Sequence, residues 1–457
     1  MALQAQPNVL SLIGHTPLVA TSSFDTGPCQ LFLKLENQNP SGSIKDRVGL
    51  YMIEAAEREG RIKPGAILIE ATAGNTGLGL ALVAARKGYR LLLVIPDKMS
   101  QEKIFHLKAM GAEVVMTRSD VVKGHPEYYQ DKAARIARET PDAFYINQFT
   151  NPANPQAHEE TTAPEIWEQM DHQLDAIVCG VGTGGTLTGL SRFFARTAPA
   201  VQMLLADPQG SMLADYVKTG VTHAAPRSWL VEGIGEDFIP DVCDLSRVRQ
   251  AYTIPDAEAF AACRSLLHQE GILAGTSSGT LLAAALRYCR EQTTPKRVVS
   301  LVCDSGNKYL SKVYNDYWMI DQGFLQRERF GDLRDLIARR HREKAAITVN
   351  AAETALAAHG RMKLYDMSQL PVMREGQIVG ILDEEDILLK VFEHPEVFNQ
   401  PVANIMESHL VTVTPDASLP QLLEIFRRGM VAIVMDKGEL LGLITRIDLV
   451  NWLRRRL

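Results

Sequence analysis

Residues 67–95 read ILIEATAGNTGLGLALVAARKGYRLLLVI. An apolar run, Ile67–Glu70, stops at a small polar loop. A helical pattern, Asn75–Lys87, follows, and a second apolar run, Arg90–Ile95, closes the unit. Runs this short and continuously apolar read as strands buried on both faces. Strands separated by helices imply a parallel sheet covered by helices. The alternation extends outward in both directions. Further strands are predicted at Leu31–Leu35, Glu113–Met116, Ala176–Cys179, Gln202–Ala206 and Val298–Val302, with further helices at Lys45–Arg58 and Gln101–Met110. The first 320 residues or so therefore belong to the α/β class. In such sheets ligands bind at the C-terminal strand ends, where small-residue loops lead into helices.

The chain has 457 residues, 46% of them hydrophobic, which is enough for about three domains at roughly 150 residues each. A formal charge of −6 with no strongly basic half argues against a nucleic-acid partner. The cluster Arg454–Arg456 reads as the charged end of a final helix. No apolar window is long enough to span a membrane, and Met1–Pro7 has no secretory pattern. The six cysteines, Cys29, Cys179, Cys243, Cys263, Cys289 and Cys303, form no C-x-x-C pair. They read as reduced, mostly buried thiols of a cytoplasmic protein without a structural metal site.

Around Gln322–Lys344 the composition turns to Arg, Asp and Glu, which reads as a linker carrying a charged helix. Beyond it lies an internal repeat. Leu370-Pro-Val-Met matches Ala432-Ile-Val-Met, Gly376 and Gly380 match Gly438 and Gly442, and Asp386 matches Asp448, all at one offset of 62 residues. Each unit reads as strand, glycine turn, strand, then a helix opening near the aspartate. One unit is too small to bury its own core well, so the two should pack together. The expected layout is 1–321, 322–344, 345–398 and 399–457.

Four polar clusters fall at predicted strand–helix junctions. In Pro40-Ser-Gly-Ser-Ile-Lys45-Asp-Arg47, the lysine occupies the first turn of a helix, whose positive end disfavours its ammonium form and favours an amine nucleophile. Glu70-Ala-Thr72-Ala73-Gly74-Asn75-Thr76-Gly77 presents free N–H groups to an anion such as a carboxylate, or equally a helix cap. Cys179-Gly-Val-Gly182-Thr183-Gly184-Gly185-Thr186 is a phosphate-loop signal. It also satisfies G-x-G-x-x-G, and Asp207 ends the next strand where a ribose-binding acid would sit, so a dinucleotide reading stays open. Gly275-Thr-Ser277-Ser-Gly279 places a neutral hydroxyl at a helix start. Together they supply an imine-forming lysine, a phosphate cradle, a carboxylate loop and a neutral partner for a ring nitrogen, which pyridoxal phosphate (PLP) requires.

These motifs resemble the fold-type II PLP enzymes of the cysteine synthase/cystathionine β-synthase family. The resemblance runs from Ile13-Gly-His-Thr-Pro-Leu18 through Val231-Glu-Gly233-Ile-Gly-Glu236-Asp-Phe-Ile-Pro240 and Val302-Cys-Asp-Ser305 to the C-terminus, where the repeat is similar to a CBS-domain pair, or Bateman module. It implies a two-lobed core of parallel sheets covered by helices. It implies that Lys45 binds the cofactor covalently and moves the α-proton, that Asn75 bonds the ring hydroxyl oxygen, that Gly182, Thr183, Gly184, Gly185 and Thr186 hold the phosphate, and that Ser277 faces the ring nitrogen. Thr72, Ala73, Gly74, Thr76, Gln148 and Gly233 would hold substrate. The implied reaction joins L-serine to L-homocysteine, giving L-cystathionine and water. Cysteine as first substrate, releasing hydrogen sulfide, is allowed by the same chemistry.

The sulfide-using O-acetylserine branch is the alternative within the class. Asp46 and Asp237 look more like the cystathionine-forming branch. A degenerate sensor is the alternative outside it. Ala73 departs from the family's usual Ser, and Glu236 stands where eukaryotic relatives carry Tyr. No haem-binding extension precedes the pattern near Val9, so no haem is expected. In the repeat, Thr445 and Asp448 would hold an adenosyl ligand such as S-adenosylmethionine, while the acidic run Asp383–Asp386 would repel phosphates. The resemblance further implies a homodimer or higher homo-oligomer.

Overall fold

The computed structural model describes residues 6–72, 74–97, 101–121, 124–222 and 228–454. The chain divides into two compact units, residues 1–314 and 315–457.

The first unit carries the strands β1 (Leu18–Ala20), β2 (Gln30–Lys34), β3 (Ile67–Glu70), β4 (Arg90–Pro96), β5 (Glu113–Thr117), β6 (Ala143–Tyr145), β7 (Ala176–Cys179), β8 (Gln202–Pro208), β9 (Val248–Ile254) and β10 (Arg297–Leu301). They form a six-stranded sheet, order β1-β2-β10-β7-β8-β9, and a four-stranded sheet, order β5-β4-β3-β6. Every pair is parallel except β1–β2. The central strands are Leu-, Ile- and Val-rich and buried, as both-face coverage demands. Three strands escaped the sequence reading. β1 and β6 are too short to show a period, and β9 is an edge strand with exposed polar positions near its start.

Helix α1 (Lys45–Arg58) and helix α2 (Asn75–Lys87) cross backbone to backbone. A Cβ at Gly49 would lie 2.7 Å from the carbonyl carbon of Gly79, and one at Gly79 would lie 2.5 Å from Lys45 O. Only glycine permits this approach. The crossing ties the loop before α1 to the loop before α2.

The second unit contains the two repeats. Gln369–Arg374 and Gln377–Asp383 form a hairpin leading into the helix Glu384–Glu393. Ala432–Asp436 and Glu439–Ile444 do the same before the helix Arg446–Arg454. The hairpins bulge at equivalent places, Val372/Met373 and Val434/Met435. Met373, Ile433 and Leu440 form a shared apolar cluster between the repeats. The charged helix expected within Gln322–Lys344 is replaced by two 3₁₀ turns, Leu333–Asp335 and His341–Glu343. The cause is burial: Leu333, Leu336 and Ile337 enter the core of the second repeat, while Arg327, Arg334 and Arg340 pair with Glu343, Asp332 and Asp335 around them. Arg454 ends the last helix; Arg455 and Arg456 lie outside the described residues. Among the described residues no helix is long and apolar enough to cross a membrane. All six cysteines are free.

Candidate active site

The four polar clusters, with Gln148 and Gly233, open into one cavity of about 500 Å³ at the C-terminal ends of the parallel strands. Lys45, Thr72, Gly74, Asn75, Thr76, Gln148, Gly182, Thr183, Gly184, Gly185, Thr186, Gly233 and Ser277 all line it. The structure thus brings together every site residue expected from the sequence in this unit except Ala73, which lies outside the described residues. A neighbouring hollow of about 640 Å³ shares Gly74, Asn75, Lys103, Glu232 and Gly233 with it.

Lys45 is the first residue of α1, and none of the described residues hydrogen-bonds its Nζ. Its pKa is lowered, as expected, but the chief cause is burial rather than the helix end; Cys303, Cys179 and Asp304 act the other way. An amine held towards its neutral form is the form that condenses with an aldehyde. The thiols of Cys179 and Cys303 line the same cavity, and burial pushes Cys303 up to about 12 and Cys179 further, so neither is a competing thiolate.

The residues after Lys45 anchor it. Asp46 accepts the Ser41 N–H at 2.6 Å and the Ser41 hydroxyl, closing the loop before the helix. Arg47, 1% exposed, donates to both oxygens of Glu36 at 2.8 Å and to Glu165 at 2.6 and 2.7 Å. Lys34 donates to Glu165 at 2.7 Å. Charges buried together in this way are tolerable only because each is paired.

The glycine-rich turn follows β7. Gly184 has φ +86°, in the left-handed region. A Cβ at Gly182 would lie 2.5 Å from Gly233 O, and one at Gly185 would run into the Asn154 amide. The helix Gly185–Thr197 begins there, and its first turn leaves N–H groups without intrahelical partners. Asn154 Nδ2 donates to Thr183 Oγ1 at 2.9 Å, and Thr186 Oγ1 lies 3.2 Å from His158 Nε2. Burial, then Lys45 and Arg47, hold His158 neutral. A cradle of free N–H groups and two oriented hydroxyls fits a phosphate. Asp207, the candidate ribose acid, instead accepts the Ala214 N–H at 2.8 Å, at the start of the helix Leu213–Thr219, and does not line the cavity. The dinucleotide reading loses its acid.

The loop before α2 is held by buried hydrogen bonds. Glu70 accepts the N–H groups of Ala71 at 2.9 Å and Gln148 at 3.2 Å; burial pushes it up to about 7. Thr76 Oγ1 donates to Gln148 Oε1 at 2.7 Å. Ser277, buried, is the second residue of the helix Thr276–Glu291. The amide of Asn75 is already engaged: Nδ2 donates to Asp304 at 2.8 Å, and Lys308 donates to Oδ1 at 2.5 Å. Sequence reasoning missed Glu70, Asn154, His158, Asp304 and Lys308 as supports. Asn154 and His158, one helical turn apart, were the available signal for two of them.

A buried lysine, a glycine-rich turn at a helix start, a Thr/Asn loop and a buried neutral hydroxyl are the set of groups pyridoxal phosphate needs, and the chain belongs to the pyridoxal-phosphate dependent enzyme family, matched over residues 9–304. Residues 337–393 and 402–455 each match the CBS domain. The chain is similar to cystathionine β-synthase of Dictyostelium discoideum, 36% identical over 98% of this chain and 92% of the relative. It is similar to cysteine synthase A of Escherichia coli, 43% identical, over 65% of this chain and 92% of that one. A hydrogen sulfide-producing enzyme from Fusobacterium nucleatum aligns in structure with TM-score 0.62 and 37% identity, over 67% of this chain and all of that one.

Proposed function

We propose that the chain condenses L-serine with L-homocysteine to form L-cystathionine and water, and that it also accepts cysteine as first substrate with release of hydrogen sulfide. The observation that carries this reading is the single cavity in which Lys45, the glycine turn, the Thr72–Thr76 loop and Ser277 meet, joined to similarity that spans both units. The similarity to cysteine synthase A covers 65% of this chain, against 98% for the Dictyostelium cystathionine β-synthase, which favours the cystathionine reading over the O-acetylserine one.

The residues assign themselves by chemistry. Gly182–Thr186 would hold the cofactor phosphate, Lys45 its aldehyde carbon, Asn75 the ring oxygen and Ser277 the ring nitrogen. Bound there, pyridoxal phosphate supplies an electron sink for the substrate α-carbon. Thr72, Gly74, Thr76 and Gln148 hold the substrate carboxylate, with Gly233 beside them; Ala73, expected with them, lies outside the described residues. Lys45 Nζ, its pKa lowered by burial and hydrogen-bonded by none of the described residues, takes the α-proton and returns it after the thiol has added. Ser277 carries no charge, so it does not force protonation of the ring nitrogen, which keeps the route on β-replacement rather than transamination.

In the second unit, Asp448 accepts the Thr445 N–H at 2.7 Å and its hydroxyl at 2.6 Å, and Asp386 closes a capping box with Asp383. We place one adenosyl ligand, such as S-adenosylmethionine, at Thr445 and Asp448. The reading further includes a cytoplasmic homodimer or higher homo-oligomer without haem.

Product identification from serine plus homocysteine, against O-acetylserine plus sulfide, tests the reaction; faster turnover of the second pair would overturn it. Calorimetry with adenosyl ligands on wild type and Asp448→Ala tests the tail; identical binding would remove Asp448 from the site.

A further inference from the structure

The β-replacement above leaves two protons unassigned. Lys45 moves the proton on the α-carbon. The β-hydroxyl needs a proton to leave as water, and the incoming thiol must lose one.

Glu236 lines the same cavity as Lys45 and Ser277. Its backbone is pinned at three points: its N–H donates to Ser211 Oγ at 3.0 Å, and its carbonyl accepts from Ser211 Oγ at 3.1 Å and from the Met212 N–H at 3.1 Å. The preceding Gly235 has φ +90°, and a Cβ there would lie 2.9 Å from the Trp229 ring. The carboxyl is therefore carried on a fixed stretch of backbone at the cavity wall. Among the described residues none forms a hydrogen bond or ion pair with its side chain. Among the described residues the titratable groups around it are Asp207, Asp237, Tyr128, Tyr129 and Cys243, with no cation among them. A partly buried carboxyl in a reaction cavity, without a cation to pair it, is a group free to exchange protons.

Resting on the β-replacement reading, we infer that Glu236 is the acid and then the base for the β-substituent. The Cβ–O bond breaks with its electron pair on oxygen, and the Glu236 carboxyl supplies the proton that makes water. The S–H proton of the second substrate then passes to the Glu236 carboxylate as the S–Cβ bond forms. The carboxyl is restored, and serine plus thiol becomes thioether plus water. Burial, with the charges of Asp237 and Asp207, pushes Glu236 up to about 8, so it rests as the acid at neutral pH. Its proton affinity then lies near that of a thiol, about 8.5, where proton exchange is efficient in both directions.

The test exploits the leaving group, since acetate departs without a proton. First-substrate kcat/KM reports only the steps through loss of the leaving group. In Glu236→Gln it should fall about 100-fold more for serine than for O-acetylserine. Wild type should lose serine turnover, but not O-acetylserine turnover, as pH rises past about 8. Glu236→Asp should keep that limb. Difference infrared spectroscopy should show a protonated carboxyl at pH 7 that is missing in Glu236→Gln. Equal losses for both donors, no loss for serine, or no such carboxyl band would each overturn the assignment. If wild type makes no cystathionine at all, the β-replacement reading itself fails; if it does and serine turnover ignores residue 236, only this inference fails.

Discussion

Replacing Gly79 by Ala tests whether the backbone crossing of α1 and α2 sets the position of Lys45. The added Cβ would stand 2.5 Å from Lys45 O, 2.8 Å from Lys45 C and 3.1 Å from Asp46 N. An ordinary contact begins near 3.4 Å, so the start of α1 must retreat by about 0.9 Å. Backbone cannot rotate aside as a side chain can. Overpacking of this kind costs about 1–3 kcal/mol. Better helix propensity returns about 1 kcal/mol, leaving a net loss of up to about 2 kcal/mol. The functional cost should be larger than the stability cost, because a displacement near 1 Å at a reacting group lowers rate about 100-fold. Urea unfolding and steady-state turnover of Gly79→Ala would check both. An unchanged midpoint together with an unchanged rate would refute the idea that this glycine pair positions the lysine.

Gly360→Ala is the matched control: it lies inside the helix Ala355–Tyr365 with nothing within 4 Å of the new Cβ, so thermal unfolding should show stabilisation of up to about 1 kcal/mol. Arg47→Met leaves Glu36 buried without its cation and should cost about 3–5 kcal/mol by urea unfolding at pH 7. That deficit is pH-dependent. Burial alone would raise Glu165, but Arg47 and Lys34 hold it at about 2, below its ordinary 4.5. The stabilisation is present above 4.5 and is lost as pH falls through about 2, so the gap between variant and wild type should narrow below pH 4. A gap that stays constant from pH 7 to pH 3 would exclude this pairing as its source. Gly182→Ala, whose Cβ would lie 2.5 Å from Gly233 O, should weaken cofactor binding roughly 10-fold in an absorbance titration of the apoenzyme.

Much of the fold was legible from period alone. The helices Lys45–Arg58 and Asn75–Lys87 begin and end where the apolar spacing placed them, and the 62-residue repeat returned as two hairpins with equivalent bulges. These are local signals, and local signals survive in a single chain. That Lys45, the Thr72–Thr76 loop, the glycine turn and Ser277 share one cavity was legible for a related reason: small residues and hydroxyls at strand–helix junctions are written in consecutive positions.

What consecutive positions could not state is which distant groups stand behind the site. Residues 322–344 read as helix because charges dominate them, yet three apolar residues within them are claimed by the second repeat's core. The partners of Arg47 lie 11 residues before it and 118 after it. Lys45 owes its low pKa chiefly to burial, which exists only once both sheets have closed around it. The sequence by itself determined the parallel architecture, the repeat and the chemistry-bearing loops, because each follows from spacing along the chain. Only the tertiary structure decided the helix crossing at Gly79, the proton affinities and the place of Glu236 in the cavity that Lys45 lines, because desolvation and backbone approach are properties of neighbours in space.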